Sequence, residues 1–305
     1  MNFQEWIIQS AWYQRLIKWS KIFVLPGFEG LNAYEVSSFF IKGMKESNLT
    51  LRAAAMSFKF FLAVFPGIIF LFTLIAYIPI EDLHSEIISY LGNIMPKEAF
   101  SLTQSTIEDL LKNKHSGLLS IGFLITIYMA SDGIFAMMQA FNESFHASET
   151  RSQIILRLIS VMMVFVFVFL LVAASVLIIF SEVAINLLND YGIVKDALSV
   201  NLLILGKWIT ILLVFLFGTS LIYYLGPVKK RKFKLLSAGT TFASLGVIIT
   251  SLGFAYYINN FGTYNKLYGS IGTLMVVMLW INFNSIVLLL GFELNATISN
   301  IKSQR

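Results

Sequence analysis

Lys59 stands inside the apolar run 54–79, and Asp132 inside the apolar run 117–139. A charged side chain at the centre of a bilayer costs at least ~2.5–3.5 kcal/mol, so each of these two residues asks for a partner or a function. Lys59 follows the start of its run by five residues, and Asp132 precedes the end of its run by seven. At ~1.5 Å per helical residue these are depths of ~8 and ~10 Å from the same side. Two consecutive antiparallel helices pack as neighbours, so the spacing predicts that Lys59 and Asp132 approach within salt-bridge or one-water distance. Such a pair does one of two things. It locks two helices together, or it lies on a pathway for a solute or ion, and the residues alone leave both open.

Other polar groups sit nearer the ends of apolar runs. Lys207, near one end of the run 202–225, either snorkels to the interface, pairs with Glu182 or lines an outer vestibule with Tyr264, Asn265 and Tyr268. Glu293 and Asn295, at the end of the run 271–292, make an inner-end polar contact, with Arg52 or the basic segment 229–234 as partners for the glutamate. Pro66 in Phe65-Pro-Gly67 removes a helical hydrogen bond in mid-run and predicts a helix kink. Gly239, Gly246 and Gly253 recur every seven residues, a row of small residues that allows another helix to come close.

These groups need a membrane to have this meaning, and the composition supplies one. The chain is 57% hydrophobic and 13% charged, against about 25% charged in soluble domains. Six runs reach the roughly 20 residues needed to cross hydrocarbon: 54–79, 117–139, 158–180, 202–225, 235–257 and 271–292. The predicted fold is all-α, a six-transmembrane-helix bundle occupying 51–299. Residues 1–50 form amphipathic interfacial helices and 300–305 a short tail. Trp6, Trp12 and Trp19 with Arg15, Lys18 and Lys21 mark the first amphipathic helix, which Pro26-Gly27 ends. Val36, Phe39, Phe40, Gly43 and Met44 mark the second. Stripes at Leu83–Ile94 and Ala99–Leu110 predict an external helical hairpin over 80–116. Between the last two runs, 258–270 reads as a short Tyr, Asn and Gly hairpin at the outer surface.

Basic residues orient the chain. Arg15, Lys18, Lys21, Lys42, Lys45, Arg52, Arg151, Arg157, Lys302, Arg305 and the cluster Lys229, Lys230, Arg231, Lys232 and Lys234 fall on one side. Lys97, Lys112, Lys114, Lys195 and Lys266 fall on the other. The bias predicts cytoplasmic N- and C-termini. The cluster 229–234 serves as topology determinant or as a holder of anionic lipid.

Several classes of function are excluded. There is no cysteine, hence no disulfide, thiolate site or cysteine nucleophile, and His84, His115 and His146 are too few for a histidine-rich metal site. No HxHxDH-like run, DxD or P-loop is present, so the reading is not an enzyme and not a nucleotide-driven pump. No cofactor or nucleic-acid partner is implied; the partners are membrane lipids and an unknown solute, with the oligomeric state open.

Four segments together resemble one family: Arg52-Ala-Ala-Ala-Met-Ser-Phe58 with Phe65-Pro66; Ala140-Phe-Asn142; Leu225-Gly-Pro227; and Asn260-Phe-Gly-Thr-Tyr-Asn265 through Tyr268-Gly-Ser-Ile-Gly272 and Trp280 to Gly291-Phe-Glu-Leu-Asn295. The chain is similar to the YihY/BrkB family of bacterial inner-membrane proteins from about residue 35 onward. That resemblance implies a six-span inner-membrane protein, in a group with labels of virulence or serum resistance and formerly labelled ribonuclease BN. Lys59 and Asp132 depart from the Tyr or small residues the resemblance leads one to expect there. Three functions remain open: a secondary transporter or exporter of a small or amphipathic solute, a non-transporting scaffold for envelope assembly, and a channel.

Overall fold

The computed structural model describes residues 11–24, 27–46, 48–77, 85, 87–89, 97–144, 149–190, 197–228, 233–260 and 263–304. Among them run nine helices of twelve residues or more, and no strand. They are α1 (Ala11–Ile22), α2 (Ala33–Glu46), α3 (Leu49–Ile75), α4 (Lys97–Lys112), α5 (Ser116–Ser144), α6 (Gln153–Asp190), α7 (Ala197–Leu225), α8 (Ala238–Asn260) and α9 (Thr263–Gln304). Six of them, α3 and α5 to α9, are long and apolar enough to cross a membrane. Only helices satisfy their own backbone groups in hydrocarbon, which is why such runs fold no other way in a bundle.

Polar caps set where helices begin. Asn32 Oδ1 accepts from the Glu35 amide at 2.8 Å and starts α2. Ser237 and Thr240 cap each other at the start of α8, each accepting the other's amide. Asn48 takes a left-handed conformation (φ 44°) to turn the chain from α2 into α3.

The six long helices form a ring in chain order. Each packs on the one before and the one after, and α9 closes the ring against α3. Helix α9 also reaches α5. One end of this ring carries Arg52, Arg151, Lys234 and Lys302 and is called the basic end below. The core lies toward it: Ala53, Met56, Met138, Phe141, Leu156, Met163, Tyr223, Leu289 and Phe292 are buried in one cluster. Helix α2 packs beneath, where Phe28, Leu31 and Val36 meet Ile298 and Ile301 of α9. Away from the basic end, Phe123, Leu124, Phe169, Leu171 and Ile249 are exposed, the surface a lipid phase would cover.

Several expectations change. Of the predicted hairpin at 258–270, the described residues are helical, since α8 runs to Asn260 and α9 begins at Thr263; 261–262 lie outside the described residues. Gly269 and Gly272 therefore lie inside a helix, where a glycine costs about 1 kcal/mol but breaks nothing. Helix α9 has 42 residues, about 63 Å against a hydrocarbon core of ~30 Å, so it extends well past the predicted span. Pro66, expected to kink its helix, lies inside α3, as that expectation requires; neighbouring helices let membrane helices tolerate the lost hydrogen bond. Gly239 and Gly246 do face close neighbours, the Gly291 carbonyl and Val287 Cγ1, whereas Gly253 faces open space. Of the predicted external hairpin, α4 is described and buries Ile107 and Leu111; most of its first half lies outside the described residues.

Candidate functional site

The basic end assembles from chain segments far apart in sequence. Arg52, in the first turn of α3, donates through Nη1 to the Ala140 carbonyl of α5 at 2.5 Å. Its Nη2 lies 3.8 Å from Glu293 Oε2 of α9, and both side chains are 5% exposed. Glu143 Oε2 stands 3.7 Å from Arg52 Nε but is 64% exposed, so solvent screens it. The Arg52–Glu293 pair is thus the buried ion pair of the bundle's described part, tying the first span to the last. Of the two partners expected for Glu293, Arg52 and the basic segment, the structure places Arg52 beside it.

Beside this pair, three rings close the centre. Phe141 of α5 stacks on Phe292 of α9 with centroids 4.0 Å apart. Tyr223 of α7 meets both edge-on at 5.5 Å and donates its hydroxyl to the Leu288 carbonyl at 2.6 Å. Gly226 lets Phe141 in: a Cβ there would lie 2.9 Å from the phenyl ring. Gly291 and Gly239 serve the α8–α9 crossing in the same way, each facing the other's carbonyl.

Asn142 binds the next layer. Its Oδ1 accepts from the Val228 amide at 2.9 Å, and its Nδ2 donates to Glu149 at 2.7 Å. Arg151 forks onto both oxygens of Glu149 at 2.9 Å and donates to the Gly226 carbonyl at 2.8 Å. Burial pushes the Glu149 carboxyl up, but the bonds from Arg151 and Asn142 outweigh it and hold the group below its usual range. Asn295 accepts from the Gly239 amide and donates to Ser237 Oγ, both at 2.8 Å. Sequence reading missed Asn142, Glu149 and Arg151 as a unit. The one local signal was the Glu-x-Arg spacing of 149 and 151.

A second charged cluster lies on the flank. Lys59 Nζ is 3.0 Å from Asp132 Oδ2. Arg157 of α6 adds a contact the sequence did not announce, with Nη2 3.4 Å from Asp132 Oδ1 and Nη1 donating to Ser131 Oγ at 3.0 Å. Its guanidinium lies 4.6 Å from the Tyr128 ring centroid. All three charged side chains are about one third exposed. Arg157 sits four residues into α6, roughly 6 Å from the helix start, so the trio lies toward the basic end rather than at mid-bundle.

A cavity of about 240 Å³ opens between the basic ends of α7, α8 and α9 and the turn before α2. Its lining includes Tyr223, Phe292, Asn295, Lys234 and Lys302, and neither Lys59 nor Asp132. Lys207 lies half-buried on α7. The side chains of Tyr264, Asn265 and Tyr268, at the start of α9, lie outside the described residues, as do Lys229, Lys230, Arg231, Lys232 and the side chain of Glu182. Among the described residues no three His, Asp or Glu side chains gather as a metal would require.

The family described as "Virulence factor BrkB" matches residues 40–305. A Bacillus subtilis (strain 168) protein named "Putative ribonuclease-like protein YfkH" is 32% identical over 251 residues, 82% of this chain and 90% of its own. The UPF0761 membrane protein NTHI0384 of Haemophilus influenzae (strain 86-028NP) is 24% identical over 87% of this chain and 95% of its own. The UPF0761 membrane protein of Tolumonas auensis is 24% identical over 90% of this chain and 89% of its own. No solved structure matches.

Proposed function

The chain belongs to the BrkB family, and from that premise we propose that it is a multi-pass protein of the bacterial inner membrane, with cytoplasmic termini, acting as a secondary transporter or exporter of a small or amphipathic solute. In this reading the basic end is the cytoplasmic gate, shut. The observation that carries it is the buried Arg52–Glu293 pair beside the Phe141, Tyr223 and Phe292 rings. A buried ion pair is a poor way to gain stability, since desolvation offsets most of its attraction. A pair that must open and reclose gives it a use. The carboxylate-poor sequence argues against giving this chain the ribonuclease-like activity named for the Bacillus relative.

The scaffold reading has its own support: the cavity does not include the Lys59–Asp132 pair. Single cysteines placed along 60–73 and 274–286 separate the two, because the native chain has none to remove. A transporter lets an impermeant thiol reagent reach one face of these helices from the side opposite the basic end. Uniform protection on every face would sink the transport reading and favour the scaffold.

A further inference from the structure

The turn that joins α1 to α2 is built to hold one carboxylate in one place. Gly27, Glu29 and Gly30 all have left-handed backbones, with φ of 88°, 55° and 86°. For a glutamate this is an uncommon conformation that surrounding structure must enforce. The enforcement is visible: Phe28 and Leu31 bury against Ile298 and Ile301, and Gly27 lies so close to the start of α8 that a Cβ would sit 2.9 Å from the Ala238 amide nitrogen. The outcome is that the Glu29 carboxylate lies between two ammonium groups, accepting from Lys302 at 2.6 Å and from Lys234.

Those two lysines and Glu29 line the cavity of about 240 Å³. Its lining mixes the polar side chains Ser237, Thr240, Asn295 and Ser299 with Tyr223, Tyr224, Phe292 and Ile298. We propose that this cavity is a binding site for a phosphate group borne on a partly apolar molecule, and that Glu29 is an internal stand-in which the phosphate displaces. Lysine serves phosphate as a compact point charge with three donors. The paired ammonium groups match an acceptor with several oxygens, and the mixed lining of hydroxyl, amide and aromatic side chains beyond them suits the remainder of an amphipathic ligand. The apolar anchors Phe28 and Leu31 keep the turn docked when the carboxylate swings away. The site stands whether or not the chain transports.

The test uses the full chain in phosphatidylcholine nanodiscs, read by thermal unfolding. Inorganic phosphate is titrated in one arm, and phosphatidic acid replaces part of the lipid in the other. E29Q removes the competing charge and should bind the phosphate probe about tenfold more tightly than the native chain. E29G, whose backbone suits a positive φ, should behave alike. The response must vanish in K234Q/K302Q, and the weaker native response must vanish in K302Q. A response to inorganic phosphate identifies a soluble phosphorylated ligand class; a response to phosphatidic acid alone identifies a lipid headgroup. The proposal is overturned if E29Q and E29G simply lose stability with no response in either arm, or if the response survives loss of both lysines.

Discussion

Two charged clusters lie toward the same end of the bundle, and distance ranks them in the wrong order. Lys59 and Asp132 are closer, at 3.0 Å, than Arg52 and Glu293, at 3.8 Å. Yet the first pair is about one third exposed, and the second is 5% exposed on both sides. Solvent or headgroups screen the flank pair and can replace either partner's contact. Nothing replaces the partners of a buried charge, so the longer pair is the one the bundle depends on. The surroundings agree. The flank pair adds Arg157 and the face of the Tyr128 ring, whereas the buried pair is continuous with the stacked rings, the Gly239–Gly291 crossing and the Asn142 layer.

The comparison breaks most readily at the buried pair. Removing one partner, as Arg52→Ala or Glu293→Ala, strands a charge and should cost about 3–5 kcal/mol, measured by reversible unfolding in micelles. Replacing both with methionine should recover most of that loss; equal damage in single and double variants would mean the pair is not coupled. Next in size is crowding at the crossing. Gly239→Val drives a side chain into the Gly291 carbonyl and should cost about 1–3 kcal/mol or more. Gly253→Ala, in open space on the same helix, should leave stability unchanged or raise it by up to ~1 kcal/mol. Asn142→Ala leaves the Val228 amide and Glu149 without that partner and should cost roughly 1–3 kcal/mol. Lys59→Met should cost no more than about 1 kcal/mol and should blunt the salt dependence of unfolding; a loss as large as that of Arg52→Ala would erase the distinction.

The smallest effect is one of pH. Hydrogen bonds from Lys234 and then Lys302 hold the Glu29 carboxyl below its usual range, and Glu149 is held low by Arg151. A depressed carboxylate adds stability that is fully present above the unfolded value of ~4.3 and is lost as pH falls through the folded value. The melting temperature should therefore decline below about pH 4, and less so in Glu29→Gln.

What the sequence disclosed, and what it hid, follows from how far each signal reaches. Apolar runs are local, so the six long helices were legible, although polar turns beyond the runs hid how far α3, α5 and α9 extend. Depth along a helix is also local, and it was enough to relate Lys59 to Asp132 on consecutive spans. Arg157 was invisible as their partner because it begins the next helix and reads first as a loop charge. The contact of Glu29 with Lys302 joins opposite ends of the chain, and no periodicity carries that information. The segment 258–270 misled by composition: Tyr, Asn and Gly read as a turn, while α8 reaches Asn260 and α9 begins at Thr263.

In the gate reading, the rings and the buried pair seal the basic end. Ser244 tests it most directly, since it is fully buried and bonded to Thr219 at 2.9 Å, one helical turn beyond Tyr223. A single cysteine at 244 should resist an impermeant thiol reagent applied from the basic side of sealed vesicles. It should become reactive when Phe141→Ala or Glu293→Gln is added. Labelling in the otherwise native chain, or protection that survives both changes, would contradict the seal.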